Sequence, residues 1–353
     1  MNAKTVTRVL VIAVARIGDT LLVTPAIKAL KQRYPDAKIS VLAHPKRVSL
    51  LQELPCIDDL SSITKRSAPW RGRWPRTAYD IAVVYGGDLQ LIGYALRVAR
   101  EVFVFEQPGL PASNRLRIVP RPTQPLHAVH ERRLLTLAAG GRSDELQLCY
   151  RVSPVEKMAA QSWLANSVKK PASPLIGLQT LSFPTKAHRN WPLSSFIDLM
   201  KKIAWHFPDA HFLLLGDNAA GEQASTLSTL FPDSLTVAAG SMSLRQSAAL
   251  ISCLDLYIGV DTGPTHLAGA LGIPMVAMYH CAYPGRFLAP LGHPGCAVIE
   301  HPLTGQSNAI DVPMSDIGVE TVWNSVHAIL CGRIQRTETR EREAPLAQTG
   351  SDA

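Results

Sequence analysis

The stretch YIGVDTGPTHLAGALGIPMVAMY, residues 257–279, decides the fold class. It predicts a buried strand, a tight polar turn, a helix of small residues and a second buried strand. Such a unit builds a parallel sheet, because the helix carries the chain back to the edge where the first strand began. The polar turn then lies at the carboxyl end of a strand, which is where open parallel sheets bind ligands.

The same pattern recurs near the start of the chain. Residues 8–15 (RVLVIAVA) form a continuous apolar run, and the polar turn RIGDT (16–20) and a helical pattern follow it. Further strands are predicted at 38–43, 79–87 and 101–106, and a second series of strands and helices begins later with PLIGLQT. This alternation predicts an α/β protein with two Rossmann-like, doubly wound domains that face a cleft.

A polar, turn-rich stretch, KKPASP (169–174), separates the two series and marks the expected domain boundary. We predict an N-terminal domain over residues 1–165 and a C-terminal domain over 172–314. A helix is expected over 315–332, and a polar, disordered tail over 333–353.

Composition limits the classes of protein that the chain can belong to. Of its 353 residues, 46% are hydrophobic, which is enough for large folded cores. The net charge of +8 indicates an anionic partner and leaves open whether that is a phosphate-bearing small molecule, nucleic acid or a membrane surface. Six scattered cysteines without a C-x-x-C pair indicate a reducing compartment, and no apolar run approaches the roughly 20 residues that span a bilayer. We therefore expect a cytoplasmic protein.

Two turns carry candidate binding chemistry. DTGPTH (261–266) offers the backbone N–H groups of a helix N-terminus, two hydroxyls and a glycine, which suits an anion. Alternatively, Asp261 or Thr262 only caps the helix and Pro264 only begins it, and spacing alone does not decide between the two. FPTKAHRNWP (183–192) gathers three basic residues that could hold a diphosphate without a metal, or could form a solvated loop.

Other nucleotide and metal motifs are missing from the sequence. It has no G-x-x-x-x-G-K-[ST] loop and no G-x-G-x-x-G after the first strand, which disfavours kinases and nicotinamide dehydrogenases. No set of ligands stands at the spacing of a metal site, so no metal and no cofactor are expected.

Several segments together resemble the family 9 glycosyltransferases, the lipopolysaccharide heptosyltransferases. The resemblance rests on RIGDTLLVTPAIKALKQRYPDAKISVL, HAVHERRLLTLAAGG, RNWPLSSF and the run AGSMSLRQSAALISCLDLYIGVDTGPTHLAGALGIPMVAMY, and it extends to about residue 330. It implies a GT-B fold, an ADP-heptose or similar nucleotide-sugar donor, and an inverting transfer without a metal. It also implies that the N-terminal domain binds the acceptor and the C-terminal domain binds the donor.

The resemblance assigns roles to individual residues. Asp19 would be the general base that deprotonates the acceptor hydroxyl, and Asp261 would contact the donor sugar. Thr262, Gly263 and His266 would line the diphosphate and sugar, Met242 would contact the nucleotide, and Glu222 would bind the ribose hydroxyls.

The sequence departs from the family at one basic position. Many members carry lysine two residues before the tryptophan of the W-P pair, where this chain has Arg189. Either Arg189 takes over the contact with the phosphates, keeping the charge and adding a planar fork, or Lys186 reaches in from an altered loop.

The acceptor implied by the resemblance is lipid A-core at the inner-membrane surface, with peripheral attachment of the protein there. The least family-like segments are 45–76 and 107–125. Within the first, the basic stretch KRSAPWRGRWPR (65–76), with Trp70 and Trp74, suits such a surface or is a plain exposed loop.

Three other functions stay open at the level of sequence. The chain could be another GT-B enzyme with a different donor sugar, or an epimerase that needs no acceptor. It could also be a catalytically silent nucleotide-binding subunit, although such a subunit would not need both Asp19 and Asp261. Nucleic-acid binding rests on charge alone, with no recognisable module, so no nucleic-acid partner is expected.

Overall fold

The computed structural model of the chain describes residues 6–71, 78–169 and 172–343. The first half contains six strands and four helices: β1 (Arg8–Ala13), α1 (Ile17–Leu21), α2 (Thr24–Arg33), β2 (Lys38–Ala43), β3 (Asp59–Ser62), β4 (Tyr79–Tyr85), α3 (Leu89–Val98), β5 (Ala99–Phe105), β6 (Leu116–Val119) and α4 (Ala128–Ala138). Short 3₁₀ turns occupy Val48–Leu51 and Ala68–Trp70.

The second half begins with a connecting helix and repeats the alternation of strands and helices. Its elements are α5 (Pro154–Ser167), β7 (Leu175–Gln179), α6 (Leu193–His206), β8 (His211–Leu215), α7 (Gly221–Leu230), β9 (Leu235–Val237), α8 (Leu244–Ile251), β10 (Leu256–Val260), α9 (Gly263–Ala270), β11 (Met275–Tyr279), α10 (Gly285–Leu288), β12 (Cys296–Glu300) and α11 (Val319–Glu343). Further 3₁₀ turns lie at Pro184–Arg189, Asn218–Ala220 and Met314–Asp316.

The strands form two parallel six-stranded sheets with the same topology. Their orders are β3-β2-β1-β4-β5-β6 and β12-β11-β10-β7-β8-β9, so each follows the Rossmann order when its strands are numbered from its own first strand. Strand order reverses between β1 and β4 in one sheet and between β7 and β10 in the other. Ligand crevices are therefore expected at the carboxyl ends of β1 and of β7 and β10.

The apolar runs of the sequence coincide with strands that are covered on both faces. All residues of β7, β10 and β11 are buried, and only the first residue of β1 is exposed. Three strands that the sequence did not predict, β3, β6 and β12, lie at sheet edges and are only partly buried. β3 (DLSS) and β6 (LRIV) have no continuous apolar run that could mark them, whereas β12 (CAVIE) has a short one.

The two halves meet through helices α1 and α9, which follow β1 and β10. A Cβ placed on Gly18 would lie 2.5 Å from His266 Cδ2, and one on Gly263 would lie 2.8 Å from Ile17 Cβ. Both glycines therefore permit an approach of the two helices that any side chain would block.

Hydrogen bonds from His127 to the Ala289 carbonyl and from Arg245 to the Ser49 carbonyl also join the halves. His127 caps α4 by accepting from the Val129 N–H at Nδ1, and its Nε2 donates to the Ala289 carbonyl at 2.8 Å. Arg245 on α8 forms an ion pair with Glu156 on α5 and donates to the Ser49 carbonyl. Helix α5 also shares a core cluster with α8 through Ala160, so its packing partners lie with the second sheet. The predicted domain limits at 165 and 172 stay a prediction.

The end of the chain differs from the predicted disordered tail. Helix α11 begins at Val319 and continues to Glu343, so residues 333–343 are helical. The segment RIQRTETRERE is rich in Arg, Gln and Glu, which have high helix propensity, although such a polar composition is also typical of disordered tails. The remainder of the predicted tail, residues 344–353, lies outside the described residues, as does Trp74. Among the residues that are described, no helix combines the length and the apolarity needed to cross a bilayer.

Candidate active site

Three adjoining cavities lie in the cleft at the carboxyl ends of β1, β7 and β10. The apolar cavity, about 220 Å³, is walled mainly by side chains such as Leu215, Met242 and Ile251. The central cavity, about 240 Å³, contains Asp19, Lys186, Arg189, Asp261 and His266. The arginine cavity, about 460 Å³, contains Arg16, Arg121 and Arg132.

The cavities form a continuous row, because neighbours share lining residues. The apolar and central cavities share Ile17, Ser182, Phe183 and Thr262. The central and arginine cavities share Arg16 and Asp19. Asp19 therefore stands at the border between a cavity in the cleft and a cavity walled by the N-terminal half.

Asp261 follows β10 directly and is only 4% exposed. Arg189 Nη1 donates to its Oδ2 at 2.5 Å, and His266 Nε2 lies 3.7 Å from its Oδ1. Burial lowers the pKa of His266, which favours the neutral imidazole. A buried carboxylate thus lies between a guanidinium and an imidazole, and the guanidinium offsets the cost of burying its charge.

Lys186, Arg189 and Tyr283 form what we call the cation clamp. The Arg189 guanidinium carbon lies 3.8 Å from the centroid of the Tyr283 ring, and Lys186 Nζ donates to Tyr283 Oη at 3.1 Å. This hydrogen bond from Lys186 lowers the pKa of Tyr283. His188 stacks on the same ring at 5.7 Å between centroids. The clamp holds two cations in one cavity wall, an arrangement suited to a diphosphate.

The polar turn after β10 supplies the N-terminus of helix α9. Thr262 occupies the N-cap position but makes no side-chain capping hydrogen bond, and its hydroxyl lies 3.2 Å from that of Thr265. The turn therefore does not act merely as a side-chain cap. Thr262, Gly263 and His266 all line the central cavity, where the first N–H groups of α9 favour negative charge.

Asp19 lies in the first turn of α1 and is half-exposed, with 47% of its side chain accessible. Arg132 Nη2 on α4 donates to Asp19 Oδ1 at 2.7 Å, while Arg132 Nη1 donates to the Ala128 carbonyl at 2.9 Å. The second contact fixes the guanidinium on its own helix, so Arg132 can hold the Asp19 carboxylate in one orientation.

The structure brings most of the predicted site residues together. Met242 lines the apolar cavity, and the central cavity contains Asp19, Lys186, Arg189, Asp261, Thr262, Gly263 and His266. Both basic candidates for the diphosphate, Lys186 and Arg189, reach the same wall. Glu222 is not brought to the site: it is exposed in the first turn of α7 and lines none of the three cavities.

Sequence reasoning missed two residues of this site, Arg132 and Tyr283. Arg132 lies within the HAVHERRLLTLAAGG segment, but no spacing rule connects it to Asp19, 113 residues away. Tyr283 follows the quoted run by four residues and pairs with Lys186 across 97 residues. Within the described part of the chain, no group of three or more His, Cys, Asp or Glu residues could hold a metal ion.

Comparison with known proteins gives a consistent family. The model of glycosyltransferase family 9 (heptosyltransferase) matches residues 108–303. The chain is 25% identical over 291 residues to lipopolysaccharide heptosyltransferase 3 of Escherichia coli K12, covering 74% of this chain and 79% of that protein.

Two solved structures share the fold over almost the whole chain. A family 9 glycosyl transferase from Veillonella parvula has a TM-score of 0.76 at 19% identity and covers 94% of this chain and 100% of its own. ADP-heptose lipopolysaccharide heptosyltransferase II of E. coli has a TM-score of 0.75 at 23% identity, with 93% and 100% covered. The predicted α/β class and GT-B fold are confirmed by the two Rossmann sheets together with these structures.

The family model covers more than half of the chain and includes the cation clamp, Asp261 and the N-terminus of α9. The resemblance noted from the sequence motifs is thereby confirmed, and the protein belongs to glycosyltransferase family 9, the heptosyltransferase family.

Proposed function

We propose that the protein transfers heptose from ADP-heptose, with inversion and without a metal, to a sugar of the lipopolysaccharide inner core. The observation that carries this proposal is the position of Asp19 on the border between the central and arginine cavities. A carboxylate there can take a proton from an acceptor on one side while a donor is attacked on the other. The names of the E. coli relatives, which are lipopolysaccharide heptosyltransferases, support the donor and the class of acceptor.

In this proposal the donor occupies two cavities. The nucleoside lies in the apolar cavity against Met242, and the diphosphate lies in the central cavity between the N-terminus of α9 and the cation clamp. Asp261 accepts hydrogen bonds from hydroxyls of the donor sugar. Lys186 and Arg189 offset the negative charge that develops on the departing ADP, which is the task that a divalent cation performs in metal-dependent transferases.

The acceptor occupies the arginine cavity and reacts in one displacement. Its hydroxyl oxygen attacks the anomeric carbon while the bond from that carbon to the diphosphate oxygen breaks, and the hydroxyl proton passes to Asp19. Attack opposite the leaving group inverts the anomeric configuration. Arg132 occupies Asp19 Oδ1, which leaves Oδ2 for the acceptor hydroxyl. Arg132 is therefore a positioning residue for the base.

The charge of the arginine cavity favours an anionic acceptor. Arg16, Arg121 and Arg132 line it, and Arg121 is ion-paired with Glu131 and Arg132 with Asp19, so the lining has one more positive than negative group. Arg121 also lies 5.1 Å over the Phe105 ring, which holds its guanidinium at the cavity wall. Carboxylate or phosphate groups of an inner-core acceptor match these forked donors. The transfer would then take place where such acceptors are exposed, at the cytoplasmic face of the inner membrane.

The test is ADP release from ADP-heptose, with and without a truncated Kdo-bearing lipid A acceptor. Release that depends on the acceptor and falls at least about 100-fold in Asp19→Asn supports the proposal, because the amide keeps the shape but cannot accept the proton. Asp198→Asn, on the exposed face of α6, is the control for loss of a carboxylate. Release without acceptor would instead indicate a hydrolase or an epimerase, and retention of the anomeric configuration would refute the single displacement.

A further inference from the structure

Gln179, the last residue of β7, lines the apolar cavity and carries a buried acceptor without a partner. The side chain is only 5% exposed and lines that cavity, and its Oε1 has no hydrogen-bond partner among the described residues. A buried amide oxygen without a partner is costly, so it points to a ligand that supplies the missing donor. We propose that Gln179 Oε1 accepts a hydrogen bond from the exocyclic 6-amino group of adenine and thereby selects against bases that present a carbonyl oxygen at that edge.

The orientation of the amide is fixed by its other end. Gln179 Nε2 donates to the Leu181 carbonyl at 2.7 Å. Rotating the amide by half a turn would set two oxygen acceptors against each other, which the donor inventory of glutamine excludes. The unpartnered end of the Gln179 amide is therefore an acceptor and not a donor.

Gln179 lies in the cavity proposed for the base and not in the one proposed for the phosphates. Gln179 lines the apolar cavity and not the central cavity, where the cation clamp and α9 favour the diphosphate. Around it the walls are largely apolar, formed by side chains such as Leu215, Leu244 and Ile251. A flat base with one amino group at its edge fits apolar walls with a single acceptor among them.

The chemistry of the bases sets the selectivity. Adenine presents an amino donor at position 6, whereas hypoxanthine and guanine present a carbonyl acceptor there, and uracil presents one at its corresponding edge. A base carbonyl oxygen placed opposite Gln179 Oε1 would form no hydrogen bond with it, and the two oxygens would repel each other. Sites built to pair with one polar group reject analogues that lack it more strongly than apolar pockets reject a change in size. This inference rests on the proposed function, since it assumes that the donor is a nucleotide sugar.

The test is calorimetric binding of ADP and of IDP, which carries a 6-oxo group in place of the 6-amino group, to the full-length protein. The unmodified protein should bind ADP at least about tenfold more tightly than IDP. Gln179→Met, which keeps the length of the side chain, should lower ADP affinity about tenfold and bring the ADP to IDP ratio near one. Ser247→Ala, which removes another polar group of the same cavity, should leave the ratio unchanged.

Failure of this inference and failure of the proposed function would give different binding results. Tight ADP binding with equal affinity for IDP in the unmodified protein overturns the inference and leaves the proposed function standing; it needs no variant, so misfolding of Gln179→Met cannot obscure it. Weaker binding of 2′-deoxy-ADP that disappears in Gln179→Met would assign the acceptor to the ribose and also overturn the inference. Failure of the unmodified protein to bind ADP at all would overturn the proposed donor itself.

Discussion

The close approach of α1 to α9 makes a strong prediction for the substitution Gly18→Ala. The new Cβ would lie 2.5 Å from His266 Cδ2, whereas ordinary contacts begin near 3.4 Å, so one of the two groups must move by about 0.9 Å. His266 is buried and is held beside Asp261, with its Nε2 3.7 Å from Asp261 Oδ1. Helix α1, which carries Asp19 at the next position, is therefore expected to shift.

A displacement of about 1 Å at a reacting group costs roughly 100-fold in rate, or about 2.7 kcal/mol of transition-state stabilisation. We expect kcat of Gly18→Ala to fall by that order in the acceptor-dependent ADP-release assay. Thermal stability should change little, because alanine favours the helix by about 0.5–1 kcal/mol relative to glycine and offsets part of the clash.

The matched control is Gly93→Ala on α3. There the new Cβ would meet only the far end of the Arg97 side chain, at 3.7 Å. This variant should keep full activity and gain up to about 1 kcal/mol in stability. Unchanged kcat in Gly18→Ala would refute the reasoning, because catalysis would then not depend on the contact between the two helices.

Three further predictions follow from the site and the interface. Arg132→Met should lower kcat about tenfold or more without changing the Kd for ADP. Arg133→Met, which loses a hydrogen bond to the Ser143 carbonyl and a 4.0 Å ion pair with the exposed Asp144, should not lower kcat. Tyr283→Phe should weaken ADP binding, measured by calorimetry, about fivefold, because it removes the hydrogen bond with Lys186. Tyr283→Leu should weaken it about 30-fold, because it also removes the aromatic ring that contacts Lys186 and Arg189. His127 gives a pH dependence, because burial lowers its pKa from 6.5 to about 4. Between these pH values the unfolded chain binds a proton that the folded chain does not, so the free energy of unfolding should fall by up to about 3 kcal/mol on acidification. In urea titrations, His127→Asn should reduce this dependence of the unfolding free energy on pH. An unchanged pH dependence in the variant would refute the assignment to His127.

The sequence predicted the parts of the fold that are buried on both faces. Strands β2, β7 and β11 stand out as apolar runs, and the polar turns that follow β1 and β10 could be assigned to one cleft because parallel strands end at the same edge. The partly exposed edge strands β3 and β6 carry no such signal. Helicity beyond residue 332 was missed because charged residues with high helix propensity have the composition expected of a disordered tail.

Candidate site residues could be predicted where they lie in the polar turns after β1 and β10, and could not be predicted where they lie on other helices and loops. Asp261 follows β10 directly and Asp19 lies in the turn and short helix that follow β1, so their placement at one edge follows from the topology of the sheets. Arg132 and Tyr283 reach the same cavities from a helix and a loop far along the chain, and only the three-dimensional packing reveals them. The contact of Glu222 with the ribose, suggested by a loosely aligned loop, stays a prediction, since Glu222 is exposed on α7 and lines none of the three cavities.

The glycines of the two polar turns, RIGDT and DTGPTH, have the same physical role, which is to let the turns pack against each other. From the sequence alone, each turn is expected to contact a different ligand. In the structure the turns also contact each other: Ile17 packs on Gly263, and Gly18 packs on His266. Each turn thus supplies a glycine to one contact and a side chain to the other. Because Asp19 follows Gly18 directly, the contact that joins the two sheets also sets the distance of the proposed base from the wall that holds Asp261. A substitution at either glycine should therefore affect catalysis through geometry, even though neither residue has a side chain that could take part in the chemistry.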